Sequence, residues 1–353
     1  MTQPVDKATG DLGSSRSFHR LTLFALLFVL LTTAGLFTVY DRLAERSITF
    51  DPQLLAPDFL ICVLLLLLLY FTADGLRLYF TLKALGHEIR GKSIAKLVFI
   101  NFFFSNITPM ATGGGFAQIW YLQHQGVPVG RASAATTIRT ILAVIFIFSL
   151  TPIFLVTLPV LKNTPVIGQI GPILAVLIVL YLGFFAIVLF RTHWLIIPLS
   201  RILEILHRIR LLSDHLHQRL QYKARREMLR FSHSFGEYIF GPKLFVCLSV
   251  LFTFIFLLCL FSFPALLINA LGYDTDYLTS VGILVVTTFI MYFSPTPGAS
   301  GIAEGLFGTF FQTILTGGHL LLVIVAWRFL TIYVGMIAGL IVLQRELLKH
   351  RKG

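Results

Sequence analysis

Along the chain, long apolar runs alternate with short polar connectors, and nowhere is there the period-two pattern of a membrane β-barrel. The runs over 18–40, 59–80, 132–158, 172–190, 244–270 and 320–343 are each long enough for a spanning helix, which takes roughly 20 residues. The first run lacks a small-residue cleavage site and reads as a retained helix rather than a signal peptide. Two further apolar stretches, about 97–123 and 277–315, are interrupted. In the first, the apolar half ends at Asn106, and Pro109 and the glycines Gly113, Gly114 and Gly115 follow before a second half that carries Gln118. In the second, SPTPGASGIAEG (294–305) sets Pro297, Gly298, Gly301 and Glu304 between apolar halves. Lipid cannot satisfy the backbone groups freed by such breaks, so both stretches are predicted to be helical hairpins buried in protein or lining a wet cavity. Six full spans and two re-entrant hairpins make an all-α polytopic membrane protein with a single transmembrane domain over 18–343, a polar tail over 1–17 and a basic tail over 344–353.

Composition agrees, with 56% hydrophobic residues, 12% charged residues and 34 phenylalanines. The formal charge of +12 argues for an anionic leaflet rather than nucleic acid, because the excess basic residues flank the apolar runs. If both hairpins return to the side they entered from, every basic connector and both termini fall in the cytoplasm, and the protein resides in the cytoplasmic membrane. Within 191–243, Ile202, Leu206, Ile209, Leu212, Leu216 and Leu220 recur at three- or four-residue steps, with Arg201, Arg208, Arg210 and Arg219 off the stripe. This is an amphipathic segment read as an interfacial helix on anionic headgroups, with a coupling or dimerisation helix as the alternative; it also suits a separately encoded lipid- or glycan-modifying enzyme as partner. Cys62, Cys247 and Cys259 lie in apolar runs, and His207, His215, His217 and His233 lack ligand spacing, so neither a metal site nor a cofactor is expected.

The charged residues inside apolar runs are the candidate chemistry. Asp74 and Arg77 stand one helical turn apart and can neutralise each other as a structural pair, with Arg77 snorkelling to headgroups. Arg139 either snorkels as well or faces a polar interior. Thr108-Pro109 with glycines and Arg139 in one half corresponds to Thr296-Pro297 with glycines and Arg328 in the other, which suggests an inverted repeat. Helices starting at Gly115 and Gly298 would turn bare amides toward a shared centre, which favours an anion. Arg139 and Arg328 would supply charge there, and Glu304 would couple a cation or pair with either arginine.

The stretches GLRLYFTLKALGHEI (75–89), NITPMATGGGFAQIWYLQHQGVPVGRASAATTIRT (106–140), SPTPGASGIAEGLFG (294–308) and WRFLTIYVG (327–335) resemble the lysylphosphatidylglycerol synthase transmembrane, or flippase-like, family. The resemblance implies an integral membrane protein of lipid or lipid-carrier translocation with two opposed re-entrant helices. Where many relatives carry charge after the first glycine pair, Gly115 and Gln118 stand here. The chain ends at Gly353 without a soluble transferase domain, so synthesis of aminoacylated lipid is not expected. The resulting expectation is a transporter for an anionic lipid or a polyprenyl-phosphate-type carrier, with Pro109, Gly113, Gly114, Gly115, Gln118, Pro297, Gly298, Gly301, Arg139, Arg328 and Glu304 lining the substrate path. A membrane-embedded enzyme acting on a lipid phosphate, and a partner presenting lipid to another enzyme, are the alternatives; no nucleophile–base pair or paired carboxylates support the enzyme.

Overall fold

The computed structural model describes residues 51–162 and 214–351, together with Leu30, Thr33 and several positions between 175 and 183. Apart from those positions, the first and fourth apolar runs (18–40 and 172–190) lie outside the described residues, as do the amphipathic stripe over 202–212 and the polar tail over 1–17. A 3₁₀ turn, Pro52–Leu55, leads into helix α1 (Pro57–Ala84), then α2 (Gly91–Ile107), α3 (Thr112–His124) and α4 (Val129–Thr157). After α5 (Asp214–Phe240) come α6 (Lys243–Ala270), α7 (Tyr277–Met291) and α8 (Ile302–Phe311). The last is a continuous rod of α9 (Gly317–Arg328), a π-helical turn (Phe329–Tyr333) and α10 (Val334–Arg351). Four of these elements are long and apolar enough to cross a membrane: 57–84, 129–157, 243–270 and 317–346. Among the described residues no strand forms.

Sequence sets the helix ends sharply. Helices α1, α3 and α6 each stop in the same motif, with Gly86, Gly126 and Gly272 in the left-handed region (φ 73°, 89° and 77°). The next amide reaches back to the fifth residue before it: His87 to the Leu82 carbonyl, Val127 to Leu122 and Tyr273 to Ile268. This is the glycine-terminated Schellman arrangement, which a side chain at those glycines would strain.

The two interrupted stretches form antiparallel helix pairs. Along α2 and α3, Ser93 meets Gln125 (3.0 Å) near one end and Asn101 meets Gln118 (2.5 Å) midway, so the chain leaves the pair where it came in. At the open end of α7 and α8, Tyr273 before the pair and Thr316 after it share a hydrogen bond (2.8 Å). The pairs open at opposite ends of the α9–α10 rod, since Lys96 of α2 pairs with Glu346 (2.7 Å) while Tyr273 contacts His319 (2.8 Å). At 1.5 Å per residue, none of the four limbs reaches the ~30 Å of a hydrocarbon core. The first pair begins at Gly91 rather than near 97, because Lys92 and Lys96 extend the helix from its polar end. The second comprises two helices of unequal length joined by the break over 292–301.

Close packing relies on small residues, as it must where lipid is as apolar as the side chains. Gly339 lies against the backbone carbonyl of Phe99, and Gly335 against the Phe102 ring, so the GxxxG spacing of the last rod seats α2 of the same chain. Aromatic rings fill the rest of the core, with Tyr70 stacked on Phe256 (5.0 Å) and Phe148 edge-on to Phe289 (4.6 Å). Helix α5 lies against the start of α4. There the Glu227 carboxylate accepts from the Gly130 amide (2.8 Å), neutralising the positive end of α4. Arg131 bridges Glu237 (3.1 Å) to His87 (3.1 Å).

Two outcomes follow. Gly339→Val places atoms on the Phe99 carbonyl and costs about 1–3 kcal/mol of stability, the usual toll of overpacking, whereas Gly115→Ala, with open space around it, is tolerated; thermal unfolding of the detergent-purified protein measures both. Burial, and secondarily the Arg131 cation, hold the His87 imidazole below its ordinary value of 6.5. The unfolded chain therefore takes up this proton first, so stability is full above pH 6.5 and declines as the pH falls below it. In a thermal scan from pH 7.5 to 5.5, His87→Gln flattens that decline.

Candidate functional site

The breaks in the two helix pairs meet. Pro109 and Pro297 form an antiparallel β-bridge, which puts the tips of α2–α3 and α7–α8 in direct contact. They share a backbone form as well as a sequence: in Thr108-Pro109-Met110-Ala111-Thr112 and Thr296-Pro297-Gly298-Ala299-Ser300, the third and fourth residues all have positive φ. Met110, Ala111 and Ala299 carry that conformation without being glycine (φ 53°, 54° and 53°). Each costs about 1–2 kcal/mol, strain of the kind that persists only where surrounding contacts enforce it.

Helix starts differ from the sequence expectation. Helix α3 begins at Thr112, not Gly115, and α8 at Ile302, not Gly298. Each helix starts directly after its left-handed residues, which puts the start of α3 three residues before the expected one and that of α8 four residues after it, and local acceptors take the leading amides. The Gly113 amide donates to the Thr108 hydroxyl (2.8 Å), and the Gly301 amide to the Glu304 carboxylate (2.6 Å), the acidic half of a capping box. Gly113 and Gly114 are required by closeness, since a Cβ at either would strike Thr108 or Ser105; Gly115 faces open space.

Beside the breaks lie two buried charge centres. In the first, Asp74 binds two arginines. Its carboxylate takes both oxygens' worth of contact from Arg139 Nη2 (2.5 and 2.6 Å) and an ion contact from Arg77 (2.6 Å). Arg139 also donates to Gln118 (2.8 Å), whose amide donates to Asn101 (2.5 Å), so four helices, α1, α4, α3 and α2, converge on one hydrogen-bonded chain. The Arg77 guanidinium lies 3.9 Å from the centroid of the Phe256 ring. Snorkelling is thereby corrected for both arginines: each is buried, because Asp74 holds them at the interior face of α1 and α4.

The second centre belongs to the other break. Arg328 approaches Glu304 to 2.7 Å, with side chains 1% and 0% exposed, as a close ion pair without hydrogen-bond alignment. It donates to the Gly298 carbonyl (2.8 Å), freed by the break. Glu304 thus pairs with Arg328 and not with Arg139. The two centres leave buried donors without partners among the described residues: Arg77 Nη1, Arg139 Nε, Arg328 Nη1 and Trp327 Nε1.

A family model described as the lysylphosphatidylglycerol synthase TM region matches residues 17–339. The chain belongs to that family. A UPF0104 membrane protein of Archaeoglobus fulgidus is 22% identical over 293 residues, 83% of this chain and 88% of that protein. The family match and the apolar helices identify a multi-pass membrane protein of a lipid-related family.

Within this family member, sequence reasoning found both arginine centres' charged groups but missed Asn101 and Ser105, and took Thr108 only as part of the Thr-Pro motif. A lone amide amid VFINFFF was the available signal for Asn101, since a carboxamide in an apolar run needs a partner. Removing one partner from a buried pair strands the other charge, so Glu304→Ala is expected to cost about 3–5 kcal/mol, and the double variant Glu304→Leu/Arg328→Met to regain most of it; denaturant or thermal unfolding in detergent checks the pair.

Proposed function

We propose that the protein is a flippase-like translocator that moves an anionic lipid, or a lipid phosphate of the polyprenyl type, across the cytoplasmic membrane. The observation that carries this reading is the contact of Pro109 with Pro297: two strained helix breaks meeting beside buried arginines from both halves. A polar, irregular junction inside an apolar bundle is where secondary transporters place substrate, between half-helices that rearrange around it. In this reading the α2–α3 and α7–α8 pairs are re-entrant hairpins of an inverted repeat, entering from opposite faces, with both termini in the cytoplasm. Supporting it, the pairs open at opposite ends of the α9–α10 rod, and the basic connectors cluster at the end where Lys96 and Arg131 lie.

The residues divide the task unequally. Arg328, committed to Glu304 and Gly298, holds the second break in shape. Arg139 and Gln118, beside the first break, offer the charge and the amide that a headgroup contacts. Transfer needs no covalent step, only exchange of hydrogen-bond partners along the junction.

Purified protein in vesicles carrying a fluorescent anionic phospholipid in one leaflet is expected to accelerate its exchange between leaflets. Arg139→Gln should slow that exchange about tenfold or more, a charge-assisted contact being worth about 1.5–3 kcal/mol. Unaccelerated exchange with wild-type protein, or a chemically altered lipid by mass spectrometry, would count against translocation.

A further inference from the structure

Charge balance at membrane depth narrows what the first centre accepts. Of the 16 acidic residues, only Asp74 and Glu304 fall inside the apolar segments. The two apolar runs outside the described residues, 18–40 and 172–190, contain neither Asp nor Glu, so they bring no further carboxylate to the interior. Three guanidiniums, those of Arg77, Arg139 and Arg328, are buried against these two carboxylates. Glu304 is taken by Arg328 and by the Gly301 amide. The surplus therefore sits on the Arg77–Asp74–Arg139 centre, where one carboxylate faces two cations and carries a net charge of one.

Two donors at that centre are also unmet. Among the described residues, Arg77 Nη1 and Arg139 Nε are buried without a hydrogen-bond partner, on residues 7% and 5% exposed. An unpartnered buried donor and an unbalanced buried charge are both costly, and one oxyanion bound beside the two guanidiniums, which share Asp74 Oδ1, relieves both. A dianion would instead leave a net negative charge in the same low-dielectric surroundings.

We propose that Arg77 and Arg139 form a binding subsite for an oxyanion of one negative charge, a phosphodiester or carboxylate, and that Asp74 is the built-in counter-ion that excludes dianions such as phosphomonoesters and diphosphates. Arg77 thereby becomes a ligand-binding residue rather than half of a structural pair. Binding at this subsite stands independently of translocation; only the assignment of the anion to a lipid headgroup rests on the transport reading.

Calorimetric titration of the detergent-purified full chain with dihexanoylphosphatidylmethanol, which carries one charge, and with dihexanoylphosphatidic acid at pH 8, which carries two, tests the rule. The singly charged lipid is expected to bind about tenfold tighter or more, since an unmatched charge juxtaposition costs several kcal/mol. Asp74→Asn raises the centre's charge by one and is expected to invert the preference. Asp74→Asn/Arg77→Gln restores a charge of one and with it the original preference. Arg77→Gln alone weakens the singly charged lipid and spares the variant set if Asp74→Asn does not fold. Displacement of bound phosphatidylmethanol by inorganic phosphate at pH 6 would assign the subsite to free anions, and failure to displace it would assign it to lipid; either supports the subsite. Equal binding of the two lipids by wild-type protein, or an affinity for the singly charged lipid that Arg77→Gln leaves unchanged, overturns it. Leaflet exchange is a separate readout, so its absence alongside charge-selective binding removes the transport reading and keeps the subsite.

Discussion

A guanidinium placed in hydrocarbon must find a counter-ion or a carbonyl, and a helix supplies no spare carbonyl unless it is broken. That constraint joins the features of this bundle to one another. Arg328 takes the Gly298 carbonyl that the second break releases, and Glu304, one turn into the helix that resumes, balances its charge. The break thus satisfies the arginine, and the arginine satisfies the break. Asp74 does the corresponding service for the first half from a neighbouring helix, gripping Arg139, which in turn reaches Gln118 on α3. Remove the carboxylates and both junctions hold unpaired cations among phenylalanines.

The two halves share a backbone device but not a degree of closure. Around Pro297, Ala299 and Ser300 are buried (7% and 1% exposed), and three side chains, Arg328, Glu304 and Thr296, tie the segment down. Around Pro109, Met110 and Phe116 are exposed (62% and 74%), and the arginine of that half grips the helix beyond the break rather than the break itself. A fixed segment and a looser one thus meet at the Pro109–Pro297 bridge. The π-helical turn immediately after Arg328 adds a second irregularity at the same level of the last rod.

Much of this was legible in the residues. Proline and glycine inside apolar runs marked both breaks, and the matching Thr-Pro pairs marked the backbone form they share, because local chain chemistry determines where a helix cannot continue. Membrane class followed from hydropathy alone. What pairs with what did not follow. One turn of spacing brought Asp74 to Arg77, yet it said nothing of Arg139, whose arrival depends on how α4 packs against α1. Glu304 offered two arginines as partners by sequence, and only the fold of α9 against α8 decides for Arg328. The same holds for the last rod, where Gly335 and Gly339 read as a generic packing spacing and turn out to seat α2. Helix starts were misjudged by three or four residues for a simpler reason: left-handed Met110, Ala111, Gly298 and Ala299 are not visible in composition.

The central claim is that two helix breaks from opposite halves meet at one junction. Disulfide trapping between Pro109→Cys and Pro297→Cys, in protein with Cys62, Cys247 and Cys259 replaced and reconstituted in vesicles, tests it directly. Residues paired across an antiparallel bridge stand about 4.5–5.5 Å apart at Cα, within disulfide reach. Efficient cross-linking within the monomer by a mild oxidant is the result the account predicts. Two cysteines that each react with a thiol reagent yet never cross-link would contradict it.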